Sequence, residues 1–406
     1  MRIMLYSDIP PCTNYTAGIV LDKLCSFLLD AGHTVCCFSV EAKNLMPEIP
    51  SDKKERMIIK SVDKPSESYG RKIRGKFGKI ISLLGNNYEA YIHLPKIIRS
   101  AVNFAKNNNV EMIWGVVQGQ AMIKTLRPLA KMAQLPYVIH IWDPPTWWLR
   151  DNKFDRFTAN SVLKEYGAAI HDSLCCITAS KAMNEEYIKR YKPPRAVPVI
   201  LGFDSARVSP GVKDADSFVI ALGGQIYADQ ELLALVAALN LLEWKHDNKR
   251  IVLRLYGRYF GFLQHIGFSS SANIELRGWL SQNELLPELA AADLLYCPYW
   301  FDSTFREEAS LSFPSKLSTY LKTGTPVLVH APEYASPRKF IEKHSAGYVC
   351  GSLDSNTIAD TLRQILNNPN KSAVGERGFT AFSEHLTLDI MLRNFFIALG
   401  IDNSKQ

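Results

Sequence analysis

Residues 310–329, SLSFPSKLSTYLKTGTPVLV, carry the pattern that decides the fold. Pro314 and Ser315 suit the first turn of a helix, because a proline there loses no hydrogen bond and serine favours a helix start. The helix is predicted to stop at Gly324, and the apolar run at 327–329 is typical of a buried parallel strand. The stretch therefore predicts a polar loop and a helix that leads into a parallel sheet.

The predicted helix has one apolar face and a cationic first turn. Leu317, Tyr320 and Leu321 fall at i, i+3 and i+4, so they are expected to face the core. The free N–H groups and the dipole of a helix start favour negative charge, and Lys316 adds a point charge there. We therefore expect an anion site at the helix start, made by Ser312, Phe313, Pro314, Ser315 and Lys316.

Strand-like and helix-like segments alternate along most of the chain. Strands are predicted at 2–6, 34–40, 112–118, 136–141 and 175–178, with helices between most of them, and residues 41–85 read as irregular and basic. After a proline-rich pause at 191–204 the alternation resumes, with strands at 218–222, 251–256, 274–276 and 294–297. This rhythm indicates parallel sheets with helices on both faces.

The length and the pause together predict two domains. At 406 residues the chain exceeds the size of one ordinary hydrophobic core. We expect a first domain over residues 1–200, a second over 201–382, and a terminal helix within 383–406 that crosses back to the first. The expected fold class is α/β, with two doubly wound Rossmann-like domains facing across a cleft and ligands at the carboxyl ends of the strands.

The composition is that of a globular protein and excludes several classes of function. No run of 18 apolar residues is present, so no transmembrane helix is expected. The eight cysteines show no CxxC spacing and no cluster with histidine, which favours buried thiols over a metal or redox site. We expect a cytoplasmic protein, with a peripheral position at the inner face of the plasma membrane as the alternative.

The net charge of +7 is partly concentrated in the sequence GRKIRGKFGKIISLLG, residues 70–85. Its basic residues are Arg71, Lys72, Arg74, Lys76 and Lys79. Interleaved apolar residues favour contact with an anionic membrane surface or a phosphate-bearing acceptor, and a solvated helix with an ordinary core-facing side is the alternative. Nucleic acid is not an expected partner, because no recognisable binding module accompanies the charge.

The segment 310–329 resembles the donor-site segment of GT-B glycosyltransferases, especially the retaining enzymes of family 4. The resemblance extends over nearly the whole chain through AGHTV at 31–35, ITASKAMNEEYIKRY at 177–191 and IELRGWLSQNELLPELAAADLLYCPY at 274–299. It implies a GT-B fold, a nucleotide-sugar donor bound mainly by the second domain, and a glycan or lipid-linked acceptor bound by the first. It also implies that no metal cofactor is needed.

The acidic signature of the family is missing from this sequence. In the best-known members glutamates occupy the positions of Leu311 and Thr319. The resemblance therefore assigns Thr319 a weaker contact to the nucleotide ribose. Glu308, or its neighbour Glu307, is a candidate to replace the first glutamate, and two exposed loop charges are the alternative.

The positive residues that contact the diphosphate in relatives are also replaced, by Gln225 and Gln230. Positive charge must come from elsewhere, and Lys316 is the best placed by motif. Arg258 and Arg277 are further candidates, with an ordinary surface role as the alternative for both.

A glycine pair follows the first strand of the second domain. At Gly223 and Gly224 backbone N–H groups are expected to approach a phosphate, and a tight turn without a ligand is the alternative. Neither domain shows GxGxxG after its first strand, which disfavours a NAD site. The resemblance places Gly278 and Trp279 against the base, with core capping as the alternative for Trp279, and Tyr299 at the mouth of the cleft.

The sequence PYVIHIWDPPTWWLRD, residues 136–151, is the main candidate region of the first domain. The resemblance makes Asp143 the acidic candidate near the reacting sugar, although an Asx turn before two prolines explains it equally well. Trp142 and Trp147 on an irregular loop favour a sugar-stacking platform, a membrane contact or a small buried cluster. Gly18, at the start of a helix, is the remaining candidate for acceptor binding.

These observations predict a glycosyltransferase that moves a sugar from a nucleotide-diphosphate donor, with retention, in surface polysaccharide synthesis. Three alternatives stay open. One is an inverting enzyme or a sugar-nucleotide epimerase on the same fold. Another is a catalytically weak GT-B subunit that binds a partner or an acceptor. The last is a NAD-dependent two-domain enzyme.

Overall fold

A computed structural model describes residues 1–67, 76–257 and 273–401. The chain divides into two compact units. The first comprises Met1–Ile200 together with Leu392–Gln406, and the second comprises Leu201–Met391. In the described part of the chain no helix is both long and apolar enough to cross a membrane.

The first unit contains a parallel sheet with the strand order β3-β2-β1-β4-β5-β6-β7 among its described residues. Its strands are β1 (Arg2–Ser7), β2 (Thr34–Glu41), β3 (Ile58–Asp63), β4 (Met112–Val116), β5 (Tyr137–Ile141), β6 (Cys175–Thr178) and β7 (Ala196–Pro198). Its helices are α1 (Thr16–Asp30), α2 (Ser51–Arg56), α3 (Lys76–Tyr88), α4 (Leu94–Asn107), α5 (Gly119–Ala133), α6 (Pro145–Asp151), α7 (Arg156–His171) and α8 (Lys181–Tyr191). A π-helical turn, Glu89–His93, joins α3 to α4.

The second unit repeats this plan with the order β11-β10-β8-β12-β13-β14, and the short β9 pairs antiparallel with β10. Its strands are β8 (Ser217–Gly223), β9 (Lys245–His246), β10 (Lys249–Tyr256), β11 (Ile274–Gly278), β12 (Leu294–Pro298), β13 (Val327–His330) and β14 (Tyr348–Cys350). Its helices are α9 (Asp229–Leu241), α10 (Gln282–Ala291), α11 (Arg306–Leu311), α12 (Ser315–Thr323), α13 (Ser336–His344), α14 (Ser355–Asn367) and α15 (Lys371–His385), with a 3-10 turn at Ser303–Phe305. The last helix, α16 (Leu388–Leu399), begins in the second unit and ends in the first.

Apolar strands and the helices on their faces form the core of each unit. In the second unit Ile220 of β8 lies beside Leu253 of β10, and both pack in one cluster with Leu222 of β8, Leu232 of α9 and Leu362 of α14. Because these strands are parallel, their carboxyl ends meet at one edge of the sheet. That edge is where the loops of the candidate site begin.

The segment 310–329 folds largely as its pattern predicts. Helix α12 starts at Ser315 and ends at Gly324, whose φ of +73° is the left-handed conformation that glycine adopts most easily. Leu317, Tyr320 and Leu321 are fully buried, and the apolar run that follows is strand β13. The predicted polar loop before the helix is wrong in part, because α11 continues to residue 311.

The prediction that residues 41–85 are irregular is wrong. They contain α2, β3 and most of α3. The signal of β3 was weak because it is an edge strand and most of its side chains remain accessible. Arg71, Lys72 and Arg74 lie outside the described residues, as does Arg258, while Lys76 is the first residue of α3.

Two further boundaries differ from the prediction. The tryptophan-rich stretch is not an irregular loop, because Pro145 occupies the first turn of α6 and thereby starts a helix. The terminal helix expected within residues 383–406 is α16, and residues 383–385 still belong to the preceding helix, α15. Thr387 separates them, because its hydroxyl accepts a hydrogen bond from the N–H of Ile390 at 3.4 Å and so starts the second helix.

Candidate functional site

Three glycines line the carboxyl edge of the second sheet. Gly224 and Gly278 have φ angles of +97° and +77°, and no heavy atom lies within 4 Å of the position that a Cβ would take at either residue. Gly257 packs so closely against Gly224 that a Cβ added to Gly257 would lie 3.0 Å from the carbonyl oxygen of Gly224. The edge is therefore a low, open backbone surface that a ligand can approach closely.

Tyr320 ties the glycine loop to helix α12. Its hydroxyl accepts a hydrogen bond from the N–H of Gly223 at 2.8 Å and donates one to the carbonyl of the same residue at 3.0 Å. The N–H of Gly224 donates to the carbonyl of Tyr256 at 2.9 Å. Both N–H groups expected to hold a phosphate are thus already engaged, because they serve to join neighbouring elements. The open N–H lies one residue later, at Gln225, for which the described residues provide no acceptor.

Lys316 lies where the start of α12 meets this loop. Its Nζ donates to the carbonyl of Gln225 at 2.8 Å and lies 4.2 Å from the centre of the Tyr227 ring. Burial lowers the pKa of Lys316 from 10.5 to about 8, because the charged ammonium loses hydration. An ammonium has three donor hydrogens, so one bond to a carbonyl leaves capacity for an anion.

The start of helix α12 adds two backbone donors. No side chain caps the helix. Within the described ranges the N–H groups of Ser315 and Lys316 have no acceptor. Together with the N–H of Gln225 and the Nζ of Lys316, they make a cationic, donor-rich corner at the sheet edge.

An aromatic cluster made of Tyr227, Tyr299, Trp300 and Phe305 packs beside this corner. Trp300 lies 4.8–5.2 Å from the other three ring centroids, and its indole N–H donates to the carbonyl of Tyr227 at 2.8 Å. Tyr299 is only 2% exposed, so it packs within the cluster and does not present an open face to solvent. The sequence analysis missed Tyr227, although it follows the glycine pair at a distance of only three residues.

Glu231 is a second residue that the sequence analysis missed. It lies in the first turn of α9, is 2% exposed, and accepts a hydrogen bond from the N–H of Phe301 at 2.7 Å. Burial raises the pKa of its carboxyl group. Nothing in the local sequence distinguishes it from an ordinary surface charge at a helix start. Its role here is to hold the loop that follows β12.

The other residues predicted at the binding site of the sugar donor have varied surroundings. Glu308 is not an exposed loop charge but a buried residue of helix α11, 3% exposed. The carbonyl of Ser312 accepts a hydrogen bond from the hydroxyl of Ser336, and Phe313 packs edge-on against Phe340. These contacts anchor the approach to α12, so both residues position the helix start. Pro314 is buried at the N-cap position.

Two predicted contacts to the nucleotide remain accessible. The hydroxyl of Thr319 donates to the carbonyl of Ser315 at 3.2 Å, one turn earlier in the helix, which leaves its oxygen able to accept. Trp279, after Gly278, is 57% exposed, which suits stacking better than core capping. Arg277 pairs with Glu275 at 3.0 Å and is therefore less available to a phosphate.

In the first unit, Trp142, Asp143 and Trp147 line one narrow slot together with Gly119. Asp143 is exposed, and the indole N–H of Trp142 donates to Nε2 of His140 at 3.1 Å. Burial lowers the pKa of His140 to about 3, so this imidazole stays neutral and serves to hold the tryptophan.

Gly18 has a packing role. A Cβ there would lie 2.1 Å from the sulfur of Cys12 and 3.1 Å from the carbonyl oxygen of Pro10. The N–H of Cys12 donates to the carbonyl of Gly18 at 3.2 Å. Glycine is needed here because the preceding loop crosses the helix at close range.

A larger cavity of about 610 Å³ lies at the carboxyl edge of the first sheet. Lys64, Glu67, Glu89, His93 and Trp148 are among its lining residues. Lys64 pairs with Asp8 at 3.2 Å and with Glu67 at 3.3 Å, and Glu67 accepts a hydrogen bond from the N–H of Ala121 at 2.6 Å. The sequence analysis missed this cavity because most of it is formed by the region interpreted as irregular. No group of metal-ligating side chains is found in the ranges that the structure describes.

Comparisons with known proteins bear on the class of enzyme and on the fold. Residues 236–373, which lie in the second unit, match the family model "Glucosyltransferase 3-like, C-terminal domain". That match confirms the expected class of enzyme, a glycosyltransferase. No curated protein sequence matches the chain.

Solved structures with low sequence identity share the fold. Sucrose-phosphate synthase from Thermosynechococcus elongatus is 14% identical, with 98% of each chain covered and a TM-score of 0.69. HepE from Anabaena, solved in complex with UDP, is 14% identical, with 98% of this chain and 100% of that chain covered and a TM-score of 0.66. Trehalose 6-phosphate synthase from Burkholderia multivorans is 13% identical, with 98% of each chain covered and a TM-score of 0.66. These likenesses confirm the GT-B fold.

Proposed function

We propose that this protein transfers a sugar from a nucleoside-diphosphate sugar to a glycan or lipid-linked acceptor in surface polysaccharide synthesis. One observation carries the proposal. Lys316, at the start of helix α12, contacts the carbonyl of Gln225 in the loop after the first strand. A cation, open backbone donors and a glycine edge thus occupy one corner, which suits a diphosphate.

The chemical contribution of this corner is to stabilise the leaving group. As the bond between sugar and phosphate breaks, negative charge grows on the diphosphate. The ammonium of Lys316 and the N–H groups of Gln225 and Ser315 are placed to stabilise that charge, and this effect usually dominates catalysis of this kind. We propose that these groups act without a metal ion, so turnover should survive a chelator. Loss of turnover in the chelator, restored by added divalent cation, would contradict this part.

The rest of the donor has fewer proposed contacts. Trp279 is exposed beside the glycine edge and is placed to stack on the base, and Thr319 is placed to accept a hydrogen bond from the ribose. HepE and a rhamnosyltransferase were solved with UDP and thymidine diphosphate respectively, which supports a nucleotide as a ligand of this fold. We assign the acceptor to the first unit, near Asp143, Trp142 and Trp147.

A thermal-shift screen of nucleotide sugars tests the donor site first. A ligand that binds only the folded protein raises its melting temperature, and about 3 kcal/mol of added stability is expected at a hundredfold excess over Kd. The stabilising sugar then serves as donor in turnover assays of the wild type, Lys316→Ala and Lys249→Ala. Lys249 is an exposed lysine at the opposite edge of the same sheet and is the matched control.

We expect Lys316→Ala to lose about a hundredfold or more of turnover while its melting temperature is kept. Lys249→Ala should retain turnover. Full turnover of Lys316→Ala would refute the assigned role. Absence of turnover by the wild type, despite donor binding, would favour a catalytically weak GT-B subunit.

The resemblance to family 4 also supports transfer with retention. NMR of the product reads the anomeric configuration directly. An inverted product, or isomerised nucleotide sugar without transfer, would replace this proposal by an inverting enzyme or an epimerase.

A further inference from the structure

Helix α3 has its apolar face directed away from the protein. Phe77 is 74% exposed, Leu84 is 65% exposed, and Tyr91 in the following π-helical turn is 77% exposed. Ile80 and Tyr88 lie on the same side and are more than half exposed. These five side chains follow one another at intervals of three or four residues, so they form one stripe.

The opposite side of α3, which faces the protein, is small and polar. Gly78, Ser82 and Asn86 are buried at intervals of four. The amide of Asn86 donates to the hydroxyl of Ser82 at 3.0 Å, and that hydroxyl donates to the carboxylate of Asp155 at 3.3 Å. The helix is therefore oriented opposite to a normal surface helix, and its direction is fixed by a hydrogen-bonded polar contact.

The sequence that leads into helix α3 and forms it is positively charged. Residues 68–88 contain five lysines and arginines and no aspartate or glutamate. Lys79 is exposed on α3 between Phe77 and Ile80. Lys79 is thus exposed next to the apolar stripe, whereas Glu89, which lies within the span of the stripe, is only 6% exposed. Such a surface matches an anionic lipid bilayer, where apolar side chains enter the acyl boundary and lysines meet phosphate.

We propose that helix α3 docks the protein on an anionic membrane through this stripe, namely Phe77, Ile80, Leu84, Tyr88 and Tyr91. The docked helix continues into the π-helical turn, whose Glu89 and His93 line the 610 Å³ cavity of the first unit. A lipid-linked acceptor held in the bilayer would then have its head group beside that cavity. This last step rests on the proposed function, whereas the docking itself does not.

Vesicle binding of the full chain tests the docking without any donor or acceptor. The wild type is expected to co-sediment with phosphatidylcholine vesicles that contain about one third phosphatidylglycerol, and much less with phosphatidylcholine alone. Raising the salt from about 0.1 M to about 0.5 M should weaken the binding, because it screens the lysines.

The double variant Phe77→Ser, Leu84→Ser should lower the partition coefficient by about tenfold or more. Its matched control is Leu174→Ser, Ile188→Ser, which alters two apolar residues of the first unit that are each nearly half exposed. The control should bind as the wild type does. Both variants should keep the wild-type melting temperature, because every altered side chain is accessible.

Equal binding by the wild type and the Phe77/Leu84 variant would overturn the proposal. So would the absence of vesicle binding together with a concentration-dependent dimer that the variant loses, since the stripe would then join two copies. Turnover with a short water-soluble acceptor should be the same in the variant and the wild type. If turnover is absent in both while vesicle binding follows the prediction, only the proposed function fails.

Discussion

Donor binding should be accompanied by proton uptake at Lys316. In the protein without ligand, burial lowers the pKa of this side chain to about 8, so a fraction of the molecules carries a neutral amine at mildly alkaline pH. A bound diphosphate favours the charged form. Because an anion raises the pKa of a neighbouring amine, the bound protein must hold more protons than the free protein.

The size of the uptake follows from Coulomb's law and the pKa. A unit charge about 4 Å away, at an effective dielectric constant of about 20, contributes about 4 kcal/mol, which corresponds to about 3 pKa units. Lys316 would then be fully charged in the complex up to about pH 9. The expected uptake is about 0.1 proton at pH 7, about 0.5 at pH 8 and about 0.9 at pH 9.

Titration calorimetry in buffers of different ionisation enthalpy measures this number. The nucleotide sugar that gives the largest thermal shift is the ligand of choice, because a nucleotide sugar has no terminal phosphate that titrates near neutral pH. Lys316→Met should bind more weakly and take up no proton between pH 7 and 9, while Lys249→Met should behave as the wild type. An uptake that does not rise with pH, or that persists in Lys316→Met, would refute the reasoning.

Three further predictions concern stability, each read from urea or thermal unfolding. Tyr320→Phe leaves the N–H and carbonyl of Gly223 buried without their shared partner, so unfolding should become easier by about 1–3 kcal/mol; an unchanged stability would show that water replaces the hydroxyl. Asp204→Asn removes the carboxylate that pairs with the buried ammonium of Lys322 at 2.5 Å, so stability should fall by about 1–3 kcal/mol at pH 7. Because this pair lowers the pKa of Asp204, the wild type should be more stable than the variant above about pH 4, and this difference in stability should disappear at lower pH. A difference in stability that stays constant with pH would argue against the pair. Gly224→Ala forces a φ of +97° on alanine, so it should cost about 1–2 kcal/mol and weaken donor binding; tight binding at wild-type stability would contradict the required geometry.

The fold could be predicted from the sequence largely because its signals are local. The helix over 315–323, its glycine stop and the following strand depend on neighbours within a few residues. The alternation of strands and helices is equally local. The orientation of helix α3 could not be predicted, because periodicity is read on the assumption that apolar residues face the core, whereas Phe77 and Leu84 face outward.

The site was less predictable because its contacts join distant parts of the chain. The bond between Lys316 and Gln225 spans 91 residues, and that between Tyr320 and Gly223 spans 97. The motif indicated the importance of Lys316 but not that its partner is a backbone carbonyl. It also assigned Gly223 N–H to a phosphate, while the structure gives it to Tyr320. Glu231 had no signal at all, because burial of a carboxylate depends on tertiary packing.

The double hydrogen bond of Tyr320 has a consequence for how the specificity of the site can change. A core side chain sets the spacing between the helix start and the glycine loop, so the part that we propose to bind the diphosphate should tolerate little variation. Trp279 and Thr319 are more accessible to solvent than Tyr320, so they form the rim of the site and contribute less to packing. A change of nucleotide or sugar preference should therefore be reached by altering the rim, while selection for activity on any donor should leave Tyr320 in place.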